Sequence, residues 1–179
     1  MFSNHFRVLI GLRLSIVRRA ADMLVLHFGM IRVRQSIKGT MGTIGEYALH
    51  VQCPWRLDGP DSTITGRDDL WESVGPGEPL PDWPYKGEAN IQNQQLSKLL
   101  GAPDERLGWT NETERFKVVS VDATKLGDVK IILSDGYSIL LFPNSIAQEA
   151  WRFFAPEDER HLVFPIEKED NQASVEQNV

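Results

Sequence analysis

The amino-acid sequence predicts an α+β fold, an antiparallel sheet of hairpins with one or two short helices, and three features carry that expectation. Over residues 47–57 the apolar Leu49, Val51, Cys53, Trp55 and Leu57 alternate with Ala48, His50, Gln52, Pro54 and Arg56, the two-residue period of a half-buried strand. Three further β-rich runs lie at 116–123, 128–133 and 137–142, and Asp135-Gly136 between the last two is the preferred pair for a two-residue type I′ turn. Helical spacing is short, over 2–10 and 91–100, and each stretch is followed by a glycine, Gly11 and Gly101.

In chain order, Phe2, Phe6, Leu9 and Ile10 stand at helical spacing with Ser3 as a cap. From Leu12 the period becomes two. Arg19, Ala20, Ala21 and Asp22 then turn the chain into a second strand, 23–28, closed by Gly29. One long basic helix over 6–28 is the competing reading. Residues 36–45, with three glycines and two threonines, read as loop. Pro54 has no N–H for a ladder, so the 47–57 strand lies at an edge or bulges there. Asp58, Gly59, Pro60 and Asp61 make a turn into a return strand, 62–65, and the proline- and glycine-rich stretch 73–87 is an irregular loop.

A two-residue turn at Asp135-Gly136 sets Ser134 against Tyr137, Ile132 against Ile139 and Lys130 against Leu141 on one surface. It sets Leu133 against Ser138 and Ile131 against Leu140 on the other. Both surfaces are then largely apolar, which predicts central strands covered on both sides. A last hairpin joins 151–154 to 161–164 across the acidic turn 156–160. Residues 1–165 read as a single domain and 166–179 as a disordered acidic tail.

A domain of 179 residues removes roughly 70% of its unfolded surface from water, so neither disulfide nor metal is needed for folding. The lone Cys53 excludes an intrachain disulfide and points to a reducing, cytoplasmic setting. Arg13 interrupts the apolar run 8–16, which is too short to span a bilayer and lacks a cleavage site. No membrane partner is expected. Residues 1–60 carry eight Lys or Arg against three Asp or Glu, and 61–179 carry eleven against twenty-two. The arginines of the basic third are scattered and the net charge is −6. That balance weighs against nucleic acid and suits docking onto a basic partner protein.

Candidate chemistry is sparse. His50 and Cys53 pair the residue types of an activated thiol, but positions three apart on a strand face opposite ways, which leaves Cys53 an inert core thiol. Asp68 and Asp69 are adjacent carboxylates with no further ligands at metal-binding spacing. Glycines 39, 42 and 45 precede a strand and lack the lysine and helix of a phosphate loop. Asn111, Glu112 and Thr113 match a glycosylation sequon that carries no weight in a cytosolic protein. Trp55 and Trp151 are expected in the core. No catalytic set, metal site or cofactor is read. The best candidate is the polar face of His50, Gln52 and Arg56, with Trp83 and Tyr85 of the 73–87 loop closing over it as a lid; its bland alternative is a wet sheet surface.

The segments Tyr47-Ala-Leu-His-Val-Gln-Cys-Pro-Trp-Arg56, Asp135-Gly-Tyr-Ser-Ile-Leu-Leu-Phe-Pro143 and Glu149-Ala-Trp-Arg-Phe153 resemble small uncharacterised bacterial proteins, and some proteins with similar C-terminal hairpins resemble immunity proteins of bacterial toxin systems. The resemblance implies a fold style and a protein-binding role toward a toxin-like or basic partner, and it transfers no active site. The leading expectation is therefore a non-enzymatic, immunity-like binding module. A small ligand-binding domain or enzyme with 73–87 as its lid is the alternative. A basic N-terminal helix lying on anionic lipid is a third reading.

Overall fold

The computed structural model describes residues 2–35, 39, 41–77, 90–104, 108–158 and 160–165, and over them the chain is antiparallel sheet with two short helices. Helix α1 (Ser3–Phe6) runs into a 3-10 turn and ends at Gly11, where φ is +87°. Strands β1 (Leu14–Ala20), β2 (Met23–Phe28), β3 (Arg32–Gln35), β4 (Met41–Ile44), β5 (Tyr47–Val51), β6 (Trp55–Asp58) and β7 (Thr63–Gly66) follow. After a 3-10 turn, Asp68–Trp71, come α2 (Ile91–Leu100), β8 (Gly108–Thr110), β9 (Val118–Ala123), β10 (Val129–Leu133), β11 (Ser138–Leu141), β12 (Trp151–Phe154) and β13 (His161–Phe164). The N-terminal hairpin is thus the period-2 reading, and the long helix over 6–28 is excluded.

Six strands form one sheet in the order β13-β12-β5-β2-β1-β8, and five form another in the order β7-β6-β11-β10-β9. Alternate positions of the two sheets meet in one apolar core. The first contributes Trp151, Phe153, Leu49, Val51, Leu24, Leu26, Leu14 and Val17, and the second Trp55, Leu57, Ile139, Leu141, Val129, Ile131 and Leu133. Each such side chain contributes about 1.5–3 kcal/mol by leaving water. Both tryptophans lie in this core as expected, and Trp151 donates its indole N–H to the Gly127 carbonyl at 2.7 Å. Helix α2 is capped by the Asn90 side chain, which accepts from Asn93 N at 2.8 Å, and it ends at Gly101. Its Leu96, Leu99 and Leu100 close the core around an apolar void of about 20 Å³.

Three expectations are corrected. First, 47–57 is two strands in two different sheets. Pro54 interrupts the ladder, Gln52 N and Cys53 N both donate to Ala150 O at 2.8 and 3.0 Å, and the chain crosses from β5 to β6. The apolar alternation survives the crossing because both strands face the same core. Second, 41–44 is not loop. It forms β4, paired with β3 in a separate two-stranded sheet. The glycines hid that strand, because they carry no period. Third, the turn between β10 and β11 has three residues, Ser134–Gly136, with Asp135 at φ +61° and Gly136 at φ +80°. The register moves by one, to Val129 with Leu141, Ile131 with Ile139 and Lys130 with Leu140. A one-residue shift exchanges faces, so the apolar residues pair inward while Lys130 is exposed. The pair is therefore buried on one side only.

Ser3 does not cap α1. Its hydroxyl donates to Ala123 O at 2.9 Å and accepts from Ala123 N at 3.0 Å, pairing the backbone at the end of the β9 edge. The disordered-tail expectation, 166–179, lies outside the described residues. No helix among the described residues is long and apolar enough to cross a membrane.

Candidate binding face

The outward side of the six-stranded sheet carries two rows in register. One runs Arg152, His50, Val25, Arg18, and the other His161, Phe154, Ala48, His27, Ile16. The half over β1 and β2 is covered: Ile16, Val25 and His27 are all buried, as is Ala48 beside His27 on β5. Two contacts tie the β3–β4 hairpin to this half. Arg18 donates to the Thr43 carbonyl and hydroxyl at 2.8 and 2.6 Å, and Gly45 N donates to His27 Nδ1 at 3.2 Å. Only glycine fits at 45, since a Cβ there would lie 2.6 Å from Phe28 O. Burial, then the charges of Arg18 and His50, lower the His27 pKa to about 4. That imidazole is held neutral as an acceptor.

Among the described residues the other half, over β5, β12 and β13, is open and polar, with His50, Arg152 and Phe154 half-buried and His161 exposed. Glu149 grips the Arg152 guanidinium at Nε (3.0 Å) and Nη2 and also accepts from Gln52 Nε2 at 3.2 Å. Arg152 Nη1 lies 3.2 Å from His161 Nδ1; a guanidinium only donates, so that nitrogen is the acceptor. Phe154 stands between two imidazoles, edge-on to His50 at 5.0 Å and stacked on His161 at 4.4 Å. Burial first, then Arg152, lowers the His50 pKa, with Glu149 opposing. The hydrogen bond from Arg152 is the main cause that lowers the Glu149 pKa, against partial burial. The result is a fixed platform of one guanidinium and three rings on rigid strands.

Of the predicted face, His50 and Gln52 come together. Arg56 does not join them. The crossing at Pro54 carries it to the outer side of the five-stranded sheet, where it pairs with Asp58 at 3.0 Å and lies over the Phe142 ring at 5.6 Å. Trp83 and Tyr85 lie outside the described residues. The described ends of their loop meet where Ser73 pairs with Asn90, at the start of α2. Glu149, Arg152, Phe154 and His161 escaped the sequence reading because β12 pairs with β5 across roughly a hundred residues, a span no local pattern bridges. For Arg152 and Phe154 the alternation against Trp151 and Phe153 is the signal; Glu149 and His161 have none.

The remaining candidates are structural. Cys53 is 5% exposed, and burial pushes its thiol up to about 11. Its side chain faces the core while His50 faces outward, so the pair cannot act together. Asp69 accepts from Thr65 Oγ1 and Gly66 N, both at 2.8 Å, and so pins the end of β7. Among the described residues no three His, Cys, Asp or Glu side chains group as metal ligands. Asn111 is buried, donating to Leu14 O and Arg115 O and accepting from Thr113, a clasp that leaves no amide for glycosylation. Compared with protein-family models, curated proteins and solved structures, the chain matches none.

Proposed function

We propose that the chain is a non-enzymatic, immunity-like protein-binding module that docks a partner on the open half of the six-stranded sheet. The observation that carries this reading is the platform of Arg152, His50, Phe154 and His161, pre-positioned by Glu149. Interfaces concentrate their energy in arginine and aromatic anchors whose rotamers are fixed before binding. The acidic excess of residues 61–179 and the resemblance noted above favour a basic, toxin-like protein as partner.

The test is co-purification from the native host at low and high salt, with mass spectrometry of what comes along. One specific protein is expected at low salt, released at high salt, and lost when His50→Ala is used as bait. Recovery of nothing above background at low salt contradicts the proposal.

A further inference from the structure

We infer that the free edge of β3 is a second docking site, which takes an extended acidic segment of a partner protein as an added strand. This site is separate from the platform above and does not rest on it. Among the described residues β3 pairs with β4 and with no other strand, and all four of its residues are exposed. An unpaired edge presents backbone donors and acceptors that another strand can satisfy. β3 carries Arg32 and Arg34, and neither it nor β4 carries an Asp or Glu, so the edge is basic. Met30, Val33 and Met41 are 63%, 67% and 57% exposed, far above what a core residue shows, and thioether side chains adapt to varied partners.

The alternation decides the partner's chemistry. Arg32 and Arg34 point to one side of β3 and Val33 to the other, and the pairing of Gln35 with Met41 and Val33 with Thr43 puts Met41 on the side of Val33. A strand alternating carboxylates with apolar residues meets both sides at once. Glu157 already places a carboxylate 3.2 Å from Arg32 Nη1, so the geometry accepts an acid there. That ion pair is exposed and is exchanged at little cost. A second copy of β3 would oppose arginine-bearing strands and is disfavoured. Anionic lipid would leave the backbone edge unused.

The probe is an end-capped octapeptide alternating glutamate and valine, with a lysine-valine octapeptide as control, added to the full chain. The glutamate peptide is expected to slow amide hydrogen exchange over 32–35, and the lysine peptide is not. Arg32→Glu with Arg34→Glu gives up the exposed contacts to Glu157 and to the Pro156 carbonyl (2.6 Å), so it should lower the melting temperature only slightly, weaken the glutamate peptide by about tenfold or more and gain the lysine peptide. Absence of protection, equal binding of both peptides, or binding unchanged by the double substitution overturns the inference. So does protection of these amides by phosphatidylserine vesicles when the glutamate peptide gives none. His50→Ala should leave this binding intact, which separates failure of this site from failure of the platform.

Discussion

Gly127→Ala is expected to destabilise the protein by about 3 kcal/mol, measured by urea unfolding. Two costs combine. Gly127 sits at φ +88°, where an L side chain costs about 1 kcal/mol. A Cβ there would also lie 2.3 Å from the Phe164 ring, and overpacking of this kind adds about 1–3 kcal/mol. Phe164 has little room to yield, because it stacks on Trp151 at 5.6 Å and meets Phe2 edge-on at 5.6 Å. The control is Gly77, at φ +82° with nothing within 4 Å of its would-be Cβ. Gly77→Ala should cost only about 1 kcal/mol. Equal losses for the two variants would show that the approach of Gly127 to Phe164 is not tight.

The second large effect is a loss of stability in mild acid. His27 falls from 6.5 to about 4 on folding, so the unfolded chain binds a proton between those values while the folded chain does not. Stability is therefore full above pH 6.5, declines as pH falls toward 4 by about 3 kcal/mol, and is lost no further through this group below that. Burial of the imidazole sets the direction first, Arg18 on β1 and His50 on β5 add to it by opposing a further cation, and Gly45 N requires an acceptor. His50, also lowered, adds in the same sense. His27→Asn offers Oδ1 to Gly45 N without titrating. Its unfolding free energy should decline much less over the same window, and coincident slopes for the two proteins would refute the neutral, buried assignment.

How much of this was legible follows from what each signal encodes. Alternation over 47–57 located five core residues correctly, because burial has a period whatever sheet the strand joins. It could not reveal that Pro54 ends one strand and that Trp55 begins another, since both face the same core. Turn chemistry was read at Asp135-Gly136, but one added residue, Ser134, in the turn reversed the faces of β10 and β11, and register depends on that single count. The candidate site was half legible. His50 and Gln52 were marked by polar positions on an apolar strand. Arg152 and Glu149 come from a segment whose pairing with β5 is a long-range event, and His27 looked like an ordinary strand residue until the β3–β4 hairpin placed Gly45 on it.

The most direct measurement of the central claim compares partner affinity for Arg152→Ala and Arg56→Ala in the full chain. Each arginine follows a tryptophan, in Trp55-Arg56 and Trp151-Arg152, yet the two occupy the outer sides of different sheets. Docking on the six-stranded sheet predicts that Arg152→Ala weakens the co-purified partner by about tenfold or more, the scale of a buried arginine anchor, while Arg56→Ala leaves affinity unchanged. An equal loss for both, or a loss confined to Arg56→Ala, would contradict the account and move the binding surface to the five-stranded sheet.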